Sequence, residues 1–253
     1  MAYDFNVQEK AILVAGTDTV IPKKKVIVRE DTGLPLSVVS DKYQVIKHAD
    51  MVTNFEAALA ALPSFRDYTV TTALPFDGAQ MYRKYVFNTL TAEPKVGDVV
   101  KLVLELQNSY DGKTKGGYLV SGLRLACTNG QVVPGKFINI LTKHCATFNL
   151  DKMVDGLATA LPLFEQTIQQ WRNWHDVQVN TESLVAMLER TAIPEKTVKK
   201  IVEKFATEDK TKYGAFQAAT WVISHDTRSK VEANSRVPQI ALEREIAPLF
   251  YGA

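Results

Sequence analysis

Basic residues alternate with aromatic residues in the segment Gln80–Asn88, QMYRKYVFN. Alternate residues of a strand lie on opposite faces, so Tyr82 and Lys84 share one face while Arg83 and Tyr85 share the other. Proteins that bind single-stranded nucleic acid combine cations, which contact phosphates, with aromatic rings, on which bases stack. Tyr82, Arg83 and Lys84 are therefore candidate nucleic-acid contacts. The alternative is an amphipathic strand whose aromatic residues lie in the core.

A second group of basic residues lies in the segment NSYDGKTKGGYLVSGLRLACTNG. Lys113 and Lys115 follow an Asp-Gly turn, and Arg124 stands between apolar residues of the next predicted strand. A guanidinium group can bind a phosphate with two parallel hydrogen bonds and an ammonium group can bind one as a point charge, so these three residues are candidate phosphate contacts. An ion pair of Arg124 with Asp111 or Glu105 is an equally good interpretation.

The charge of the whole chain does not identify a partner. The formal net charge is +2, which gives no overall attraction to nucleic acid or to a membrane surface. Between residues 101 and 150 there are six basic and two acidic side chains, which is a weak basic footprint. We interpret the run Lys23–Lys25 as the solvated edge of a strand rather than a binding patch.

Residues that could perform catalysis or bind a metal form no recognised motif. The four histidines show neither HxxxH nor HExxH spacing, so we expect no metal site and no cofactor. Cys127 could pair with either His144 or His175 as a nucleophile and base, because such partners meet in space rather than in sequence. A small buried thiol is the simpler interpretation of Cys127. We assign no catalytic residue, and the sequence favours a binding protein over an enzyme.

The pattern of apolar residues predicts an α+β fold. It indicates an N-terminal antiparallel curved sheet with one packed helix, followed by a helical C-terminal part. The predicted boundary separates a β-rich part, 1–150, from a helical part, 151–253, and the two parts could share one core. Pro63 ends the predicted helix of the first part, and Pro194 starts one of the helices of the second.

Individual elements follow from apolar periodicity and from turn residues. The predicted strands of the first part cover residues 25–29, 36–40, 43–46, 68–74, 80–90, 99–107 and 118–127. A turn is predicted at Tyr110–Gly112 and another at Thr128–Gly130, since Asp-Gly and Asn-Gly accept positive φ. Helices are predicted for residues 50–62, for the stripe from Leu157 to Trp171, and for segments that begin near residues 181, 194, 213 and 238.

The compartment is predicted from cysteine usage and hydropathy. Two cysteines without a CxxC spacing do not form a disulfide framework. The segment MAYDFNVQEK contains acidic residues and lacks the apolar stretch of a signal peptide. No apolar run approaches the roughly 18 residues of a membrane span, so we expect a cytoplasmic protein with no membrane contact.

Several motifs together resemble those of a known protein family. They are SVVSDKYQV from Ser37, VGD from Val96, NSYDG from Asn108, RLACTNG from Arg124, Lys143-His144, YGAFQAAT from Tyr213 and Ser224-His225. The chain is similar in these motifs to a phage- and plasmid-encoded family of bacterial proteins known as a domain of unknown function. The similarity extends from about residue 35 to residue 250. Tyr110 departs from the pattern, because many relatives carry His at that position.

The resemblance implies a mobile genetic element, a bacterial host cytoplasm and no agreed enzymatic activity. In architecture and genetic setting, though not in motifs, the chain is also similar to phage single-strand annealing proteins of the Red-beta and Erf families. Our leading hypothesis is a nucleic-acid-binding protein that binds or anneals single-stranded DNA in recombination or replication, as a homo-oligomer. One alternative is a protein-interaction factor, such as an inhibitor of a host enzyme or a subunit of a phage complex. Another is an enzyme that uses Cys127 or His144.

Overall fold

The computed structural model of the chain describes residues 2–124, 129–132, 140–145, 149, 156–226 and 237–252. Its fold is α+β, as predicted, with two antiparallel sheets followed by a helical part. The strands of this part of the chain are β1 (Val7–Leu13), β2 (Val20–Arg29), β3 (Pro35–Ser40), β4 (Tyr68–Ala73), β5 (Gln80–Ala92), β6 (Val100–Ser109), β7 (Gly116–Arg124), β8 (Asn129–Val132) and β9 (Ile140–Thr142). The α-helices are α1 (His48–Ala61), α2 (Ala160–Trp174), α3 (Thr181–Leu188), α4 (Glu195–Phe205), α5 (Lys212–Asp226) and α6 (Val237–Tyr251).

The two sheets differ in size and order. The first contains β1, β2 and β3, with β2 in the middle. The second runs β4-β5-β6-β7-β8, and β9 pairs with the first residues of β7 while β8 pairs with its last. All of these pairs are antiparallel. The turn between β6 and β7 contains Gly112 at φ 69°, as the Asp-Gly dipeptide predicts.

One face of the second sheet is apolar and carries the helices. The register places Tyr85 of β5 opposite Leu104 of β6, and Leu104 opposite Val120 of β7, so these side chains share that face. Helix α1 packs on it through Phe55, whose ring contacts those of Tyr85 and Tyr118. Strand β5 therefore places aromatic residues in the core. This agrees with the alternative interpretation of Gln80–Asn88, an amphipathic strand.

Helix α2 covers the same face at Gly122. A Cβ atom at Gly122 would lie 3.3 Å from the Trp171 ring and 2.7 Å from Val100, so glycine lets the indole approach the strand. Trp171 in turn packs against Phe216 of α5. One cluster of buried apolar side chains thus includes residues of the sheet, of α1 and of the C-terminal helices. The boundary between 1–150 and 151–253 stays a prediction.

The structure corrects two predicted elements and adds a strand that was not predicted. Residues 43–46 form no strand, because the Ile46 carbonyl accepts from a side chain and the Gln44 amide donates to the His144 carbonyl instead of to a ladder partner. Asn129 and Gly130 lie in β8 rather than in a turn, since they pair with β7. Strand β1 was not predicted, because its apolar residues do not alternate.

Candidate functional site

The first sheet carries a short arm that extends beyond its third strand. β3 pairs with β2 only between Lys24 and Val28, so the part of β2 before Lys24 has only β1 as its neighbour in the sheet. All residues from 13 to 24 are exposed. Residues 10–24 are called the basic arm below.

Three lysines of the basic arm point into solvent. Lys10, Lys23 and Lys24 are exposed, and no ion pair of theirs occurs within the described residues. Lys25, by contrast, lies 2.8 Å from the Glu9 carboxylate. Lys23 has φ 60° and lies where β2 advances five residues while β1 advances two, so the strand bulges outward at this lysine.

The polar turn of the arm is flanked by exposed apolar side chains, which are called the apolar tip below. The Val14 amide donates to the Thr19 carbonyl, and the Thr17 amide to the Val14 carbonyl, so hydrogen bonds hold the connecting turn together. Four large apolar side chains around this turn are 38–54% exposed: Leu13, Val14, Val20 and Ile21. A soluble protein rarely exposes such a group of neighbouring apolar side chains without a partner.

Lys113 and Lys115 lie on the turn between β6 and β7, near the base of the first sheet. Lys113 is exposed and Lys115 half-buried, and the Lys113 ammonium lies 5.0 Å from the centre of the Phe76 ring. Gly112 of the same turn lies against the Tyr43 ring. Tyr43 follows the exposed Lys42, so the chain places Lys42 beside this turn. Lys113 and Lys115, the two predicted residues on this turn, therefore lie where a phosphate backbone could reach them.

The predicted contacts of β5 have other partners. Arg83 is 8% exposed, and its Nη2 atom lies 2.6 Å from the Glu56 carboxylate while its Nη1 atom donates to Thr72. Tyr82 is 4% exposed and donates its hydroxyl to Gln80. Arg83 is thus buried in an ion pair and Tyr82 is buried in a hydrogen bond, so neither side chain is open to a ligand in this conformation.

Lys84 and Arg124 lie away from the β6–β7 turn. Lys84 is half-exposed, 4.0 Å from the Glu105 carboxylate. Arg124 donates to Asp98 at 2.5 Å, and the other oxygen of Asp98 accepts from the Tyr213 hydroxyl. Arg124 is also eight residues beyond the start of β7, which is about 26 Å along a strand. Of the six predicted residues, only Lys113 and Lys115 therefore lie together on this turn. The ion-pair partner of Arg124 is Asp98 rather than Asp111 or Glu105.

A buried polar cluster connects strand β6 of the second sheet to the start of α1 and to the segment that follows β9. It consists of His48, Asn108 and His144, which are 0–5% exposed. The Asn108 amide nitrogen donates to the Ile46 carbonyl at 2.8 Å and lies 2.9 Å from Nδ1 of His48. The Asn108 oxygen lies 2.6 Å from Nε2 of His144. Asn108 therefore connects both imidazole rings.

The hydrogen bonds assign both tautomers. Nε2 of His48 lies 2.9 Å from the Gly78 carbonyl, which can only accept, so Nε2 carries the proton and Nδ1 accepts from Asn108. Nε2 of His144 faces the amide oxygen of Asn108 and must donate to it. Burial lowers the pKa of His48 and of His144 from 6.5 to about 4, so both rings are neutral at pH 7.

We expect the stability of the protein to fall as the pH is lowered from 7 towards 4. The unfolded chain binds protons at these histidines below pH 6.5, whereas the folded chain does so only near pH 4. Between these two pH values, proton binding therefore stabilises the unfolded state relative to the folded state. The loss is on the order of 3 kcal/mol for each histidine. Urea unfolding at pH 7 and pH 4.5 measures it. His144→Gln keeps a donor but cannot titrate, so its pH dependence should be about half as steep; equal slopes would contradict this assignment.

A left-handed turn lies directly beside the cluster. Phe76 and Asp77 both have φ 56°, a conformation that costs a non-glycine residue about 1 kcal/mol or more. Arg29 donates to the Asp77 carbonyl, and His48 donates to that of Gly78. These buried and half-buried donors hold the turn against its strain, and through Arg29 they attach the base of β2 to the second sheet.

The enzyme hypothesis is untested by this geometry. Cys127 lies outside the described residues. His144 is committed to Asn108 through one nitrogen and its ring stacks on that of Tyr43 at 5.0 Å. Within the described residues there is no group of three or more His, Cys, Asp or Glu side chains that could hold a metal ion.

Comparison with protein families places the chain in one of them. Residues 35–245 match the model of a domain of unknown function, DUF932. The chain belongs to the DUF932 family. No curated protein and no solved structure matches the chain. The matched range leaves out residues 1–34 and hence the basic arm. Among the helices of the described residues, none has the length and apolar character needed to cross a membrane.

Sequence reasoning missed the basic arm. The run Lys23–Lys25 was interpreted as a solvated edge, and Lys10 was not considered because β1 was not predicted. The signal that was available is the pair of apolar groups around residues 12–14 and 20–21, which flank a short polar turn. Apolar residues placed beside a turn predict a hairpin, although they do not show that its tip is exposed.

Proposed function

We propose that this DUF932 protein binds nucleic acid, preferentially single-stranded DNA, along the basic arm. The observation that carries the proposal is the exposed arm itself, on which three exposed lysines lie close to the apolar tip. Lysine ammonium groups would contact phosphates, and the tip would contact bases. Lys42, Lys113 and Lys115 extend the cationic surface from the arm towards the β6–β7 turn.

The distribution of charge supports the arm as the contact surface. Residues 9–25 contain four lysines and two acidic residues, and the rest of the chain contains 26 basic and 26 acidic residues. The whole net charge of +2 therefore lies on this segment. A phosphate backbone is attracted to the local field of a surface, so a balanced chain with one basic projection can still bind it.

The apolar tip favours single strands over duplexes. In a duplex the faces of the bases are stacked on one another, whereas in a single strand they are open to apolar side chains. Leu13, Val14 and Val20 are exposed apolar side chains that offer such contacts. The resemblance to phage and plasmid proteins extends the proposal to recombination or replication in a bacterial host cytoplasm.

We expect Lys10→Ala/Lys23→Ala/Lys24→Ala to weaken binding of a labelled single-stranded oligonucleotide about tenfold. Three exposed charge contacts of roughly 0.5 kcal/mol each correspond to about one tenfold step in Kd. Fluorescence anisotropy measures the change. The control is Lys196→Ala/Lys199→Ala/Lys200→Ala on α4, which removes the same charge from another surface and should leave Kd nearly unchanged.

Two results would contradict the proposal. Equal weakening by both triple variants would mean that only net charge matters, and absence of binding by the folded wild type would exclude nucleic acid. In the second case the exposed apolar tip favours the alternative, a protein-interaction factor whose partner covers Leu13, Val14, Val20 and Ile21. Val20→Asp would then abolish recovery of that partner from a host or phage lysate.

A further inference from the structure

The edges of the two sheets are protected to different degrees. An edge strand exposes unpaired backbone groups, and natural proteins block such edges with charges, proline, bulges or covering segments. β1 has Glu9 and Lys10 and a register shift after Ala11. β3 begins with Pro35 and packs against the turn Phe76–Gly78.

β4 has none of these protections. Its sequence, YTVTTA, contains no charge, proline or glycine, and its register with β5 is continuous from Tyr68 to Ala73. The four residues from 69 to 72 are exposed, and Val70 is 39% exposed. Valine, threonine and tyrosine are the residues that most favour a strand, so this edge is suited to accept another strand.

We propose that the β4 edges of two copies of this chain pair antiparallel about a two-fold axis through Val70. Val70 then lies opposite Val70 of the second copy, Thr69 opposite Thr71 and Tyr68 opposite Thr72. The two second sheets become one continuous sheet of a symmetric dimer. An isologous contact of this kind closes at two copies, which prevents further growth at this edge.

The chemistry of the edge favours a second copy as the occupant. The register of β4 with β5 puts Tyr68, Val70 and Thr72 on the face that carries α1, since they lie opposite Phe87, Tyr85 and Arg83. Pairing centred on Val70 keeps these faces on one side in both copies. Each exposed Val70 side chain is then covered by its own equivalent, and no charged residue of either strand faces another.

The mass of the protein in solution tests the pairing. Multi-angle light scattering or sedimentation equilibrium over a concentration series should give twice the chain mass of 28.2 kDa for the wild type. Val70→Lys places two like charges at the axis and should return the mass to that of one chain. Val38→Lys, at a valine that is 59% exposed on β3, is the matched control and should stay dimeric. A monomeric wild type, or a dimeric Val70→Lys, would overturn the proposal.

A disulfide tests the register independently. Val70→Cys brings two thiols to directly opposite positions, where Cα atoms are about 4.5–5.5 Å apart, so mild oxidation should give a covalent dimer on a non-reducing gel. In the Thr69→Cys variant each new cysteine lies opposite Thr71 of the other copy. The two cysteines are then offset by two residues along the strands, so their Cα atoms lie beyond the roughly 7 Å limit for a disulfide. Wild type, which contains Cys127 and Cys145, is the blank. Cross-linking of Thr69→Cys, or of neither variant, would contradict the register.

Discussion

Replacing Asn108 by alanine is expected to lower the free energy of unfolding by about 3 kcal/mol or more, because three buried partners lose a hydrogen bond at about 1–3 kcal/mol each. The partners are the Ile46 carbonyl, Nδ1 of His48 and Nε2 of His144. All three lie where water has little access, so nothing replaces the lost amide. A loss of this size is comparable to the total stability of many domains, about 5–15 kcal/mol.

Urea unfolding followed by circular dichroism measures the effect of Asn108→Ala. The matched control is Asn173→Ala, at an exposed asparagine of α2 whose oxygen accepts a single hydrogen bond from Gln169. That change should stay within about 0.5 kcal/mol of wild type. If Asn108→Ala is as stable as the control, Asn108 does not hold Ile46, His48 and His144 on strand β6 as described.

Gly214→Ala is expected to destabilise the protein by about 4 kcal/mol or more, at the upper end of single substitutions. A Cβ atom at this position would lie 2.0 Å from the Asp209 carbonyl oxygen, which is backbone and cannot rotate away. The same carbonyl accepts from the Thr211 amide, and the Gly214 amide donates to the Thr211 side chain. The first turn of α5 is thus packed on the preceding loop without space for a methyl group.

Helix propensity predicts the opposite sign for this substitution. Gly→Ala within a helix ordinarily stabilises by about 1 kcal/mol, so a large loss can only come from the contact with Asp209. Gly33→Ala is the control, since φ there is 71° but nothing lies within 4 Å of the new atom. It should cost about 1–2 kcal/mol through backbone strain alone. A Gly214→Ala protein as stable as wild type would show that α5 does not approach this loop so closely.

The sequence predicts helices well where one apolar stripe faces the core. The spacing of Phe164, Ile168 and Trp171 predicts α2, and all three side chains are buried. Helix α1 begins at His48 rather than Asp50, and Pro63 ends it as predicted. Such elements are predictable because their burial repeats with the period of the helix.

Segments whose backbone is bound by side chains are not predictable in this way. Residues 43–46 have the composition of a strand, but the Ile46 carbonyl accepts a hydrogen bond from the Asn108 side chain. Tyr43 likewise donates its hydroxyl to the Ser109 carbonyl. These partners are more than 60 residues away in the sequence. No local pattern carries information about such a contact.

The candidate site shows the same limit. Residue types identified Arg83 and Arg124 as cations, but Glu56 and Asp98, which neutralise them, come from distant segments. Exposure depends on the tertiary neighbours of a residue and not on its type. The basic arm could be identified only once β3 was seen to end at Ser40, opposite Lys24, which leaves the rest of the hairpin uncovered.

Hydrogen bonds connect the buried cluster to the first sheet, from which the basic arm extends. Tyr43 donates to the Ser109 carbonyl and Ser37 to the Tyr110 carbonyl, so the first sheet is attached to the β6–β7 turn on which Lys113 lies. The Tyr110 hydroxyl accepts from the His48 amide at the start of α1. A fixed base lets the arm present its lysines in a defined orientation, which lowers the entropy cost of binding.

The most direct test of nucleic-acid binding by the arm is the salt dependence of the affinity for a single-stranded oligonucleotide. Each phosphate that a lysine neutralises contributes about −0.7 to the slope of log K against log salt concentration. We predict a clearly negative slope for the wild type, which becomes less negative by about 2 when Lys10, Lys23 and Lys24 are replaced by alanine. An affinity that does not change with salt, or the same slope in the wild type and the triple variant, would contradict the account.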